Sequence, residues 1–120
     1  MDVAALVDAA TGRTHYTRSL IRTALHQVIP LAVPATALAA AWAQVDAHGR
    51  LTLATLREQS IVLTFPLDAT AAGRVGEALE RSAHLGPVDL AAGHVAVISA
   101  DRAWPIVTDR GPQLRSLIAD

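Results

Sequence analysis

Three short apolar runs, set between stretches of helical spacing, constrain this chain more than any other feature. Leu31 to Val33 lies between two prolines, Ser60 to Phe65 (SIVLTF) is rich in β-branched residues and ends at Pro66, and Pro105 to Thr108 (PIVT) follows Trp104. Each has the length and composition of a short strand. Strands of this kind alternating with helices imply right-handed crossovers and parallel pairing. The expected class is therefore α/β, with a short, mostly parallel β-sheet covered by helices on both faces.

The helices announce themselves at their ends. Ala4 to Ala10 reads as a short helix closed by Thr11-Gly12. Thr14 is placed to cap a longer one running to about Gln27. In it Tyr16, Leu20, Ala24 and Val28 recur at steps of four beside Ile21 and Leu25, an apolar stripe of the kind that faces a core. Pro34 suits a first helical position, and Leu38, Trp42 and Val45 form one stripe up to His48-Gly49. Leu51 to Arg57 makes one or two further turns, with Leu53 and Leu56 paired. Asp68 is a good cap for a helix to about Ala83, although Gly73 and Gly76 weaken it and are read as allowing close helix packing. Gly86-Pro87 opens the next helix, to about Arg102, and Gly111-Pro112 a final one carrying Leu114, Leu117 and Ile118.

A length of 120 residues suits one domain, residues 1–120. A hydrophobic fraction of 52% and a mean hydropathy of +0.33 exclude disorder. Much of that fraction is alanine, so the core is expected to lean on Leu, Val and Ile with Trp42, Trp104, Tyr16 and Phe65. The net charge of −1 argues against a strongly basic nucleic-acid surface, which leaves only local RNA contacts. All ten basic residues are Arg, as codon usage in a GC-rich genome favours. With no cysteine, disulfides, thiolate metal sites and a Cys nucleophile are excluded. The N-terminus has no signal-peptide pattern, and the apolar stretch Val28 to Ala43 is too short to span a bilayer and is broken by Pro30 and Pro34. A cytoplasmic protein without membrane contact is the expectation.

Ligands of open parallel sheets sit beyond the C-terminal ends of the strands. Three aspartates fall at such places: Asp2 before the first helix, Asp89 in the opening turn of the Pro87 helix, and Asp109 directly after PIVT. Carboxylates that converge there repel one another unless a divalent cation neutralises them, and oxygen ligands suit Mg²⁺ or Mn²⁺. Such an ion can activate water against a phosphodiester. On spacing alone, two helix caps and a turn residue are the commoner meaning of these positions. The five histidines show no zinc-ligand spacing, His94 reads as a packed helix histidine, and no serine stands in a nucleophile elbow. Arg13, Arg18 and Arg22 form either an RNA path or a solvated helix face.

The stretch DLAAGHVAVISADRAWPIVTDRGPQLRSL, Asp89 to Leu117, resembles the C-terminal half of PIN domains: an Asp opening an alanine-rich helix, a strand ending in Thr, an acid and a Leu-containing helix. VLTFPLDATAAGRVGEAL resembles the preceding strand and helix, LAVPATALAAAW the second strand and its helix, and MDVAAL the opening Asp motif. The likeness covers nearly the whole chain in order. It implies a metal-dependent endoribonuclease, a hydrolase often found as the VapC-like toxin of a toxin–antitoxin pair, with carboxylates holding Mg²⁺ or Mn²⁺.

Carried over position by position, Asp2 corresponds to the family's first acid and Asp89 to the third. Asp109 is the nearest match to the last, although a gap-free match puts Arg110 there, where its planar fork suits a phosphate. The second acid falls on Ala40, the hydroxyl residue that often follows the first Asp is Val3, and the first strand is nearly absent ahead of Asp2. The likeness thus implies either a ribonuclease with Asp2, Asp89 and Asp109 as catalytic metal ligands, covered by a small antitoxin or a second copy, or a catalytically degenerate PIN-like module that binds RNA or protein or forms a homodimer. An unrelated α/β domain binding a small ligand is the third reading.

Overall fold

The computed structural model describes residues 1–81 and 90–108. Asp89, Asp109, Arg110, the Gly86-Pro87 helix start, the expected helix end at Ala83 and the Gly111-Pro112 helix lie outside them. Within them the chain is α/β, with six helices and one two-stranded parallel sheet: α1 (Val3–Thr11), α2 (Tyr16–Gln27), β1 (Leu31–Pro34), α3 (Ala35–Gln44), α4 (Ala47–Arg57), β2 (Val62–Phe65), α5 (Ala69–Arg81) and α6 (Leu90–Arg102). None of these helices is long and apolar enough to cross a membrane.

β1 and β2 pair in register from Leu31 opposite Val62 to Pro34 opposite Phe65. Proline is tolerated at that last position because each strand is only four residues long and the ladder ends there. On the other side of β1 the sheet continues without forming a ladder. The Met1 amine donates to the Ala32 carbonyl (2.6 Å) and the Asp2 amide to the Val107 carbonyl (3.1 Å). Met1 and Asp2 thus lie between β1 and the 105–108 segment. The PIVT segment, expected to be a strand, is not one, because Met1 and Asp2 give it too short a neighbour to pair with.

Caps account for most of the helix boundaries. Gly12 ends α1 with φ 67°, in the left-handed region that glycine enters without strain. Asp46 Oδ1 accepts from the Gly49 amide at 2.8 Å and so starts α4. The break expected at His48-Gly49 accordingly falls at Val45-Asp46, and Gly49 sits inside the first turn of α4. An added Cβ there would lie 2.7 Å from the Val45 Cβ, so the corner requires glycine. Asp68 Oδ1 accepts from the Ala71 amide at 2.8 Å, the cap expected for α5.

The end of α2 is different. Val28 takes φ 54° as its C-cap, its amide bonding to the Ala24 carbonyl, which also accepts from Ile29 at 2.9 Å. A β-branched residue pays steric strain in that region, of order 1–2 kcal/mol. Val28 is also 73% exposed, so its side chain returns little packing. Val28→Gly is expected to raise stability by about 1 kcal/mol, the strain relief outweighing glycine's extra unfolded-state entropy. Urea unfolding midpoints of the two proteins check it.

The core is built on small residues. α1 packs on α2, α3 and α4, while α6 packs on α3, α5 and β1. Ala5, Ala9, Ala37, Ala41, Ala92 and Ala96 are buried at these crossings, and Leu6, Leu53, Val33 and Val75 supply the bulk. Alanine lets helix axes approach closely, so little room remains for rings. The aromatics expected in the core are accordingly at its edge: Trp42, Phe65 and Trp104 are half-buried and Tyr16 is 67% exposed. The Arg102 guanidinium lies 4.4 Å from the Phe65 ring centre and 5.5 Å from that of Trp104, covering both with a cation. The apolar stripe of α2 also lies largely outside the core. Tyr16, Leu25 and Val28 are exposed, while Ala24 and Thr17 are the buried positions of that helix.

Candidate functional site

A crevice of about 540 Å³ opens beyond the C-terminal end of the 105–108 segment. One wall is the first turn of α1 with Val7, a second is Ala40 and Gln44 of α3, and Thr108 lies between them. Asp8, Arg13, Thr14, Tyr16 and Thr17 close the remaining side. No residue of β1 or β2 lines it, so the crevice lies away from the C-terminal edge of the two-stranded sheet, where ligands of open parallel sheets sit.

Asp2 stands beside the crevice and is wholly buried. Its Oδ1 accepts from the Val3 amide at 2.8 Å and its Oδ2 from the Thr108 hydroxyl at 2.5 Å. Residues 106 positions apart in the chain are therefore joined by one short hydrogen bond to a carboxylate. Ala40, the position matching the missing second acid, does face the crevice. Of the three predicted metal ligands only Asp2 is among the described residues. Among those residues no three His, Asp or Glu side chains gather closely enough to hold an ion.

Asp8 also borders the crevice, and its spacing carried no signal in the sequence. Its Oδ1 accepts from the Thr14 amide (2.8 Å), and its Oδ2 from the Thr14 hydroxyl (2.7 Å) and the Thr17 amide (3.3 Å). The left-handed turn at Gly12 folds the chain back to make these bonds. Thr14 was expected to cap α2, but the cap position is His15, which makes no side-chain cap bond; the Thr14 hydroxyl accepts from the Tyr16 amide at 3.2 Å and donates to Asp8. These donors, the Thr14 hydroxyl first, hold the Asp8 carboxyl down at about 2.

His94 is packed inside α6, as its helical spacing suggested, at 1% exposure. The Thr36 hydroxyl bonds to its Nδ1 at 2.8 Å, and the ring is also hydrogen-bonded to the Pro66 backbone. A neutral ring fits both contacts: one nitrogen donates to the Pro66 carbonyl and Nδ1 accepts from Thr36. Burial pushes its pKa below the ordinary histidine value, against weaker opposing effects of Pro66 and Asp68. The ring ties α3, α6 and the end of β2 together, 58 residues from its Thr36 partner.

Both groups have depressed folded pKa values, so both make stability fall with acid. The His94 contribution is full above the unfolded value near 6.5 and declines as pH drops below it. That of Asp8 is full above its unfolded value of 3.8 and is lost as pH falls toward about 2. Denaturant titrations from pH 8 to pH 2 are expected to show two declines. Asp8→Asn should be less stable than the parent above about pH 4 and converge on it near pH 2. A gap unchanged with pH would show that Asp8 acts without its charge.

The arginine trio does not share one path. Arg13, in the turn before α2, lines the crevice. Arg18 and Arg22, one helical turn apart, line a separate groove against Leu51 and Leu56 of α4, and Arg18 Nε donates to the Ala9 carbonyl at 3.0 Å. A third cavity, of about 500 Å³, is mostly apolar and lies between α2 and α6, with Leu20, Ile29, Ile98, Trp104 and Ile106 among its walls. Tyr16 borders both this cavity and the crevice. No family model, no curated protein and no solved structure matches this chain.

Proposed function

We propose that the chain is a PIN-like domain whose crevice is a Mg²⁺- or Mn²⁺-dependent endoribonuclease site. The observation behind this reading is the bond from Thr108 to Asp2. It joins the two ends of the predicted acidic motif, with Asp109 covalently next to Thr108. Asp2 supplies one carboxylate, and Asp89 and Asp109 would complete the ligand set. The ion would activate water and neutralise charge developing on the phosphodiester. An antitoxin-like protein is the natural partner for such an activity.

The test is cleavage of single-stranded RNA or tRNA with added Mn²⁺. Asp89→Ala is expected to lower the rate by roughly 100-fold or more, since even partners that only orient metal ligands are worth 10–100-fold. Equal rates for the two proteins would remove the assignment.

A second reading is favoured by two particular residues. Ala40 faces the crevice where an acid is expected, and both Asp2 oxygens already accept a hydrogen bond. On this reading the domain has lost hydrolysis and keeps a binding or dimerisation role. Thermal unfolding separates the two. A metal at 100 times its Kd stabilises the folded chain by about 2.7 kcal/mol. No Mn²⁺ effect on the midpoint would favour the binding module.

A further inference from the structure

Arg13 and Tyr16 flank one crevice, and neither position is explained by folding. Tyr16 opens α2 at 67% exposure, an unusual place for the one tyrosine of a chain with only four aromatic residues. Its ring borders the polar crevice on one side and the apolar cavity on the other. Arg13 lies in the turn before it, exposed, with no ion-pair or hydrogen-bond partner among the described residues. The crevice also holds the amide of Gln44, which can donate and accept, and the hydroxyls of Thr14 and Thr108, whose protons go to Asp8 and Asp2 and which can therefore only accept. The nearby Asp8 charge is already engaged by Thr14 and Thr17. Arg18 and Arg22 line a different groove, which leaves Arg13 as the cation of this crevice among the described residues.

A cation beside an exposed aromatic face is the pairing that holds single-stranded nucleic acid. The phosphate meets the guanidinium and a base stacks on the ring. A duplex cannot use it, because its bases are already stacked on one another. We infer that Tyr16 and Arg13 form a clamp for single-stranded RNA, with one unpaired base stacked on Tyr16 and the adjoining phosphate on Arg13. This inference rests on the RNA reading above and adds the form of RNA taken and the two residues that select it. Neither residue is needed for hydrolysis itself.

Binding of fluorescein-labelled single-stranded RNA by the full chain, followed by anisotropy in EDTA, tests the clamp without turnover. Tyr16→Ala is expected to weaken binding about tenfold or more, while Tyr16→Phe, which keeps the stacking face, stays within about twofold. Arg13→Ala is expected to reduce the slope of log affinity against log salt by about one phosphate contact. A duplex of the same sequence should be insensitive to Tyr16→Ala. Both side chains are exposed, so the variants should keep the parent's unfolding midpoint. If the parent binds single-stranded RNA and Tyr16→Ala binds it equally well, the clamp is overturned and the RNA reading stands. If the parent binds no RNA, both fall together.

Discussion

Leu6→Ala is expected to be the most damaging single change in the described chain, costing about 2–5 kcal/mol. Leu6 is fully buried at the middle of α1, the helix that packs on α2, α3 and α4 at once. Nine of the seventeen buried residues of its core cluster are alanines, which have no spare side chain to move into the gap. The cavity would therefore stay open, which places the cost toward the upper part of the range. Domains of this size have about 5–15 kcal/mol of total stability, so the variant would be near the edge of folding. Thermal or urea unfolding followed by the fluorescence of Trp42 and Trp104 would measure it. A loss below about 1 kcal/mol would mean that α1 does not organise the core.

A second large effect is expected at Gly93, where α6 crosses α5. A Cβ there would lie 2.8 Å from Val75 Cγ1 and 3.2 Å from Leu79 Cδ2. Val75 is 1% exposed and, being β-branched in a helix, cannot turn aside. The helices would have to separate, at a cost of about 1–3 kcal/mol that exceeds the gain in helix propensity. Gly73 and Gly76 of α5 meet nothing within 4 Å of an added Cβ. Gly73→Ala and Gly76→Ala are therefore expected to stabilise by about 0.5–1 kcal/mol each. One chemical change made at three glycines should thus give opposite signs in a single assay. If all three stabilise, the close contact between α5 and α6 is not as described.

The glycines show how sequence and structure divide the information. Gly73 and Gly76 looked like packing positions because they share one helix and stand three apart. The glycine that packs is Gly93, whose neighbours Val75 and Leu79 belong to another element. Which helix face meets another is a property of the assembled pair, and neither helix alone carries it. Thr14 teaches the same point at short range. Its place near the start of α2 was visible, while its partnership with Asp8 needed the chain reversal at Gly12.

The arginines and Asp2 extend this to the site. Arg13, Arg18 and Arg22 form one candidate set in the sequence, but Arg13, in the turn before α2, lines the crevice while Arg18 and Arg22 line the groove against α4. Asp2 was visible as a helix cap at a strand end. Its burial against Thr108 was not, since that bond spans almost the entire chain.

What the sequence determined by itself was local and periodic: strand positions near Leu31 and Val62, the cap at Asp68, the helix stop at Gly12, and α/β alternation. These follow from the conformational preferences of a few adjacent residues. The tertiary structure alone decided that the core is alanine-lined with its aromatics at the edge, that Met1 and Asp2 bridge β1 and the 105–108 segment, and that Tyr16 stands between a polar and an apolar hollow. Those outcomes depend on which surfaces exclude water together, a matter of contacts between distant residues.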